Sequence, residues 1–292
     1  MLEKFSGNPI LKPIPEHSWE SKCVFNCAAF YDDGKVHIVY RAVGEDDISR
    51  LGYASSVDGF RIDERLPEPI FSPEGEFELK GCEDPRIARV GKEYCMFYTA
   101  FDGHIAQISQ VMIKTDDFLA QRWRWGKRIY PFPQVNNKDV VLFPEKIKGK
   151  WVLYHRIPPH IWVTYSDDLI HWRNSNIIMM PRGNSWEKIK VGAGAPPIKT
   201  LAGWLLIYHA VDEKRVYRLG FALISLDDPE EIIYRSREPI LEPDYEHERE
   251  GDVPNVVFTC GAFIRNERLF VYYAGADTVI CVATQMLRDL LP

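Results

Sequence analysis

No apolar run in this sequence is long enough to cross a bilayer. The longest, Trp204 to Tyr208 and Leu269 to Ala274, fall far short of the roughly 20 residues a spanning helix needs. The N-terminus, Met1-Leu2-Glu3-Lys4-Phe5, lacks the apolar core of a secretory signal, so a cytoplasmic location is expected. Positive charge is in deficit: 36 Lys and Arg face 42 Asp and Glu, for a formal net charge of -6. That argues against a nucleic-acid or membrane-surface partner, because neutralising phosphates takes surplus cations, and any anion site must be local. Paired CxxC spacing is missing among the six cysteines (Cys23, Cys27, Cys82, Cys95, Cys260 and Cys281), which read as reduced, buried thiols. A Walker loop, a Rossmann glycine fingerprint, an HExxH pair and a GxSxG elbow are likewise missing. His155 and His160 stand without Cys or carboxylate neighbours at ligand spacing, so no metal is expected. There is also no amphipathic helix of four turns.

What the sequence does contain is a repeat. An aromatic strand core recurs at His37-Ile38-Val39-Tyr40, Cys95-Met96-Phe97-Tyr98, Trp151-Val152-Leu153-Tyr154, Leu205-Leu206-Ile207-Tyr208 and Phe270-Val271-Tyr272-Tyr273. The final tyrosines are spaced 58, 56, 54 and 65 residues apart, and such internal periodicity decides a fold more firmly than local propensity. A turn signal precedes each core (Asp33-Gly34, Val90-Gly91, Lys148-Gly149, Ala202-Gly203, Asn266-Glu267), which reads as a hairpin. Further turn markers follow the first four cores, at Ser56-Val57-Asp58, Thr115-Asp116-Asp117, Ser166-Asp167-Asp168 and Leu226-Asp227-Asp228. Proline-flanked segments at 9–13, 69–73 and 239–243 suit linkers, where no ladder donor is needed. With 46% apolar and 13% aromatic residues to fill a core, the expectation is an all-β, five-bladed β-propeller occupying residues 1–292 as a single domain. A β-sandwich is the main rival, but it would not produce three sets of markers in step.

In a propeller the first strand of each blade lines the central channel, so chemistry belongs at equivalent positions of those strands. Counting back 14 residues from each tyrosine gives Asn26, Asp84, Val140, Gly194 and Thr259. Just beyond the tyrosine positions stand Arg41, His155 with Arg156, His209 and Asp277. Polar groups at one end of otherwise apolar strands are hard to explain by packing. The plainer alternatives are that Asp84, before a proline, caps a turn, and that His155, Arg156 and His209 form a structural network.

The segments Glu83-Asp84-Pro85-Arg86, Val141-Leu142-Phe143-Pro144-Glu145-Lys146-Ile147, Gly203-Trp204-Leu205-Leu206-Ile207-Tyr208-His209 and Pro254-Asn255-Val256-Val257-Phe258 resemble glycoside hydrolase family 130. The match runs in order from about Asn8 to Ala283. The resemblance implies a five-bladed propeller acting on β-mannosides, with Asp84 as proton donor. It also implies Asn26, Arg41 and Asp277 as mannose-holding residues, and Lys138, Arg156 and Lys190 as phosphate-binding residues with His209 nearby. The family often has Arg where Lys138 stands, which keeps the charge and loses bidentate geometry.

An inverting hydrolase needs two carboxylates, whereas a phosphorylase needs one acid and a set of cations that hold phosphate against the sugar. Lys138, Arg156 and Lys190 converging in an acidic protein therefore favour phosphorolysis. Asp84, expected to be protonated in its site, passes its proton directly or, as the resemblance implies, through the mannose 3-hydroxyl. The co-substrates are a β-mannooligosaccharide and inorganic phosphate, with no other cofactor expected; the sequence is compatible with a homo-oligomer. A β-mannosidase of the same family and a non-catalytic sugar-binding propeller are the alternatives. The linkage, β-1,2 or β-1,4, stays open.

Overall fold

Runs rich in Val, Ile, Tyr and Phe favour extended backbone, and here short turns separate them. Asp33 and Gly34 take φ 46° and 77°, and Asn266 and Glu267 take φ 50° and 59°, the left-handed pairs of tight hairpins whose twist matches that of strands. A computed structural model describes all 292 residues. It is an all-β fold of twenty strands, with only three helices of four or five residues and one 3-10 turn. No helix is long and apolar enough to cross a membrane.

The strands form five antiparallel units around the predicted tyrosine cores. The first unit comprises Cys23–Asp32, Lys35–Val43, Ser49–Ser56 and Glu64–Arg65; the second comprises Gly81–Val90, Glu93–Phe101 and Ala106–Lys114. A single parallel bridge, Ser49 to Gly81, joins these two into one seven-stranded sheet. The third unit is Lys138–Leu142, Trp151–Ile157, His160–Ser166 and Trp172–Met179. The fourth is Lys190–Ala193 with Ile198–Thr200, then Gly203–Val211, Tyr217–Ile224 and Ile232–Arg235. The fifth is Val257–Arg265, Arg268–Gly275 and Val279–Met286, completed by the N-terminal strand Glu3–Lys4, which pairs with Thr284 and Ala283. The proline-flanked segments dock on third strands: the amides of Ile10, Ile70 and Ile240 donate to the carbonyls of Ile280, Leu51 and Leu219.

Five main apolar cores lie between the units. They join first to second through Val39, Tyr53 and Met96, second to third through Phe97, Ile108 and Leu153, and third to fourth through Phe143, Tyr154 and Leu206. The remaining two join fourth to fifth through Ile207, Phe221 and Val271, and fifth back to first through Phe270, Tyr272 and Ile38. First strands also abut one another. A Cβ on Gly261 would meet the Ala29 amide nitrogen at 2.1 Å, and one on Gly194 would meet Thr259 at 2.7 Å, so glycine is required where these backbones approach.

Each repeated tyrosine has a buried polar partner. Tyr40 donates to Glu20 at 2.8 Å, Tyr98 to Glu78 at 2.5 Å, Tyr273 to Glu248 at 2.8 Å, and Tyr208 to Glu187. All four glutamates are fully buried, and each is paired with a cation: Arg65 at 2.5 Å, Arg128, Lys4 at 2.6 Å and Arg235 at 2.5 Å, respectively. The third unit breaks the pattern, because Tyr154 donates instead to the Pro229 carbonyl.

Candidate active site

Strand irregularities build the site. In the first strands of the first two units the pairing register slips between Phe25 and Ala28 and between Glu83 and Arg86, and in the third it slips opposite Tyr154 to Arg156. At each slip a short polar residue takes the left-handed backbone that Asn and Asp tolerate best: Asn26 at φ 45°, Asp84 at 52° and Asp139 at 55°. The three side chains, which regular pleating would alternate between faces, are brought together at one cavity of about 310 Å³.

Seven of the eight sequence-predicted site residues line that cavity: Asn26, Arg41, Asp84, Lys138, Arg156, Lys190 and Asp277. The eighth, His209, does not; it is fully buried, with Nε2 3.3 Å from Asp139 Oδ2 and 3.4 Å from Arg156 Nη1. His155 is also buried, against the Asn137 amide at 2.9 Å. The count of 14 residues fails after the second unit, because the slip in the third unit is displaced by one position and brings Asp139 rather than Val140 to the cavity. Neither Gly194 nor Thr259 lines it; the fourth and fifth units contribute Lys190, Tyr217, Val256, Phe258 and Asp277. A larger hollow of about 880 Å³ beside Trp186 and Arg237 contains none of the predicted residues and carries charges of both signs.

Asp84 Oδ1 accepts from Asn26 Nδ2 at 2.8 Å and from Arg41 Nη1 at 3.2 Å. Arg41 also reaches Glu83 Oε1 at 2.8 Å and lies over the Phe25 ring at 4.5 Å. Lys138 Nζ bonds the other oxygen of Glu83 at 3.0 Å. Deeper in, Asp139 is held by Arg86 at 3.3 Å, Arg156 at 2.9 Å and His209. Arg86 donates as well to the carbonyls of Asp84 and Gly194, both at 3.0 Å, tying the second unit to the fourth. Glu83 and Asp139 were not foreseen as site residues, although both adjoin residues that were.

Ionisation follows from this arrangement. Burial pushes Asp84 upward, but Arg41, Lys138, Arg86 and the Asn26 amide together outweigh it, so its carboxyl lies below the ordinary range. This reverses the expectation of a protonated Asp84. The carboxyl raised instead is Asp277, to about 7, by burial and then by the nearby Asp84 charge. Burial opposes the charge on Asp139 too, yet Arg156, His209 and Arg86 hold it well below normal. Burial, reinforced by Arg156, brings Lys190 down to about 8 and, despite Asp139, His209 down to about 4, so His209 is neutral near pH 7.

Five cations therefore face four carboxylates, one of which titrates near neutrality, and the cavity carries net positive charge. The expectation that cations replace a second carboxylate needs correction: Glu83 and Asp139 are present. Each is locked on two or more cationic or imidazole groups, which leaves neither as a free base for water. The arrangement can receive an anion and a polar ligand in the cavity that Asp84 lines. No cluster of three or more His, Cys, Asp or Glu side chains is placed to hold a metal ion.

A family model described as beta-1,4-mannooligosaccharide phosphorylase, Glyco_hydro_130, matches residues 2–292. The chain belongs to glycoside hydrolase family 130. Within family 130 it is 46% identical to a 1,2-beta-oligomannan phosphorylase of Thermoanaerobacter sp. (strain X514), over 99% of this chain and 98% of that protein. A Beta-1,2-mannobiose phosphorylase of the same organism is 45% identical over 97% and 96% of the two chains. Among solved structures, the Beta-1,2-mannobiose phosphorylase of Listeria innocua in complex with beta-1,2-mannobiose superposes with a TM-score of 0.87 at 26% identity, covering 99% of this chain and 98% of that one.

Proposed function

We propose that this protein is an inverting phosphorylase of β-1,2-linked mannosides, built as one five-bladed β-propeller domain. The propeller reading is supported by the five cores that link each unit to the next and the fifth back to the first. The β-1,2 linkage is supported by the names of the two Thermoanaerobacter relatives, at 46% and 45% identity.

The observation that carries the chemistry is the gathering of Lys138, Arg156 and Lys190 on the cavity that Asp84 lines, where Lys138 and Arg156 pair with Glu83 and Asp139 and Lys190 has no carboxylate partner. Inorganic phosphate binds these cations and presents an oxygen to C1 of the terminal mannose, which Asn26, Arg41 and Asp277 hold. Phosphate brings negative charge into the cation cluster, which relieves the stabilisation of the Asp84 carboxylate and lets it carry a proton. Asp84 then gives that proton to the glycosidic oxygen, directly or through the mannose 3-hydroxyl, as the C1–O bond breaks and the C1–O–P bond forms. The products are α-mannose 1-phosphate and a shortened acceptor, and Asp84 regains its proton from the medium. Positioning of the anionic nucleophile takes the place of a water-activating base.

The test is to incubate a panel of β-mannobioses with and without inorganic phosphate and follow products by phosphorus NMR. Phosphate-dependent mannose 1-phosphate from the β-1,2 compound is expected. Free mannose at equal rates in both tubes would refute phosphorolysis, and preference for the β-1,4 compound would refute the linkage.

A further inference from the structure

Glu83 lies just behind the cavity, bonded to Arg41 and Lys138 of its lining, and the mechanism assigns it no role. It is buried, with 4% of its surface exposed, and its two oxygens go to different units: Oε1 to Arg41 Nη2 at 2.8 Å and Oε2 to Lys138 Nζ at 3.0 Å. Arg41 belongs to the proposed mannose side and Lys138 to the proposed phosphate side, and both also bear electrostatically on Asp84. The next residue in the chain, Asp84, thus shares its two principal cations with Glu83. Glu83 faces a second hollow of about 430 Å³, which Phe25 and Phe101 line and which shares Arg41 with the first. A fully solvated carboxylate would be screened there; a buried one is not.

We propose that Glu83 is a positioning residue for the phosphorolysis, dividing the positive charge of Arg41 and Lys138 between itself and Asp84 so that Asp84 can serve as the acid. The proposal rests on the phosphorylase reading above. The groups facing Asp84 are Arg41 and Asn26 from the first unit, Glu83 and Arg86 from its own strand, Lys138 from the third unit, and Asp277 with Cys260 from the fifth. Neutralising Glu83 removes the competitor for Arg41 and Lys138 and a like charge beside Asp84. Both changes favour the ionised form of Asp84.

The experiment is the pH profile of kcat for Glu83→Gln against the unaltered protein, saturated with β-1,2-mannobiose and inorganic phosphate. The basic limb of kcat reports the acid in the ternary complex. It should move about one unit to lower pH, so kcat on that limb falls about tenfold, while Glu83→Asp, which keeps the charge, retains most of the original limb. The phosphate KM should hold or fall, because the site has become more positive. A limb that stays in place, with phosphate KM raised or melting temperature lowered, would make Glu83 a structural support only and overturn the proposal. If Glu83→Gln fails to fold, Lys138→Met opens the same bridge from its other end. It must move the limb to higher pH, and an unmoved limb is again fatal. Absence of phosphate-dependent turnover by the unaltered protein would instead defeat the underlying reading.

Discussion

Two sets of buried charges occupy this molecule, one around the repeated tyrosines and one at the cavity, and they differ in how completely they are satisfied. Glu20, Glu78, Glu187 and Glu248 each have a tyrosine hydroxyl and a cation, and none has an orphaned oxygen. At the cavity, Asn26 Oδ1, Arg156 Nε and Asp277 Oδ1 are buried without a hydrogen-bond partner. A closed network fixes structure, whereas an open one keeps hydrogen-bonding capacity for something that arrives. The same residue types thus serve as scaffold in one set and as a receptive surface in the other.

Exchanging the two roles should give the largest effects. Glu187→Ala leaves Arg235, the buried Tyr208 hydroxyl and the partly exposed Arg182 without their carboxylate. It should lower stability by about 3–5 kcal/mol in denaturant unfolding, which is the usual cost of removing one member of a buried ion pair, and leave the turnover of the folded fraction close to normal. Asp84→Asn should do the reverse, with a kcat loss of roughly 10²–10⁴ and little change in unfolding, since Glu83 still holds Arg41. A stable, active Glu187→Ala variant would erase the distinction.

A smaller effect, confined to the cavity set, follows from pH. The carboxyl of Asp277 is raised in the folded state from 3.8 to about 7, so between those values the folded protein binds more protons than the unfolded chain. Stability from this group must therefore fall as pH rises through that window. Asp139, shifted the other way, contributes stability that is lost only on acidification below the ordinary carboxylate range. Melting temperatures measured without phosphate or mannoside should decline from pH 4 to 7, and Asp277→Asn should flatten the decline. An unchanged slope in that variant would show that another group titrates.

The smallest effect concerns Lys190. With its ammonium brought down to about 8, the phosphate KM should climb a few-fold as pH passes that value, and Lys190→Arg, which stays charged, should suppress the climb. Equal pH dependence in both proteins would remove Lys190 from the anion site.

Much of this was legible in the chain. The tyrosine spacing marked the five units because each must supply the same hairpin to its neighbours' cores. Seven cavity residues were found because they adjoin recognisable segments. The buried glutamates left a signal that went unread. An aromatic residue followed by Glu recurs at Trp19-Glu20, Phe77-Glu78 and Trp186-Glu187, 20 or 21 residues ahead of Tyr40, Tyr98 and Tyr208. The third unit has no such pair, in keeping with the different partner of Tyr154. Asp139 was missed because a one-residue displacement of the strand irregularity defeats any fixed count, and His209 lies behind the cavity lining rather than in it because a residue's position along a strand does not say how deep its side chain sits.

The sequence by itself determined the all-β units, their number and the residue types that meet at their ends, since these follow from local pattern and spacing. Only the tertiary structure decided which carboxyl keeps its proton. Asp84 and Asp277 have the same intrinsic chemistry, and the difference lies in through-space neighbours: cations from two other strands surround one, while the other faces burial and its partner's negative charge. The strands that carry those neighbours lie far apart in the chain and meet only when the sheets pack.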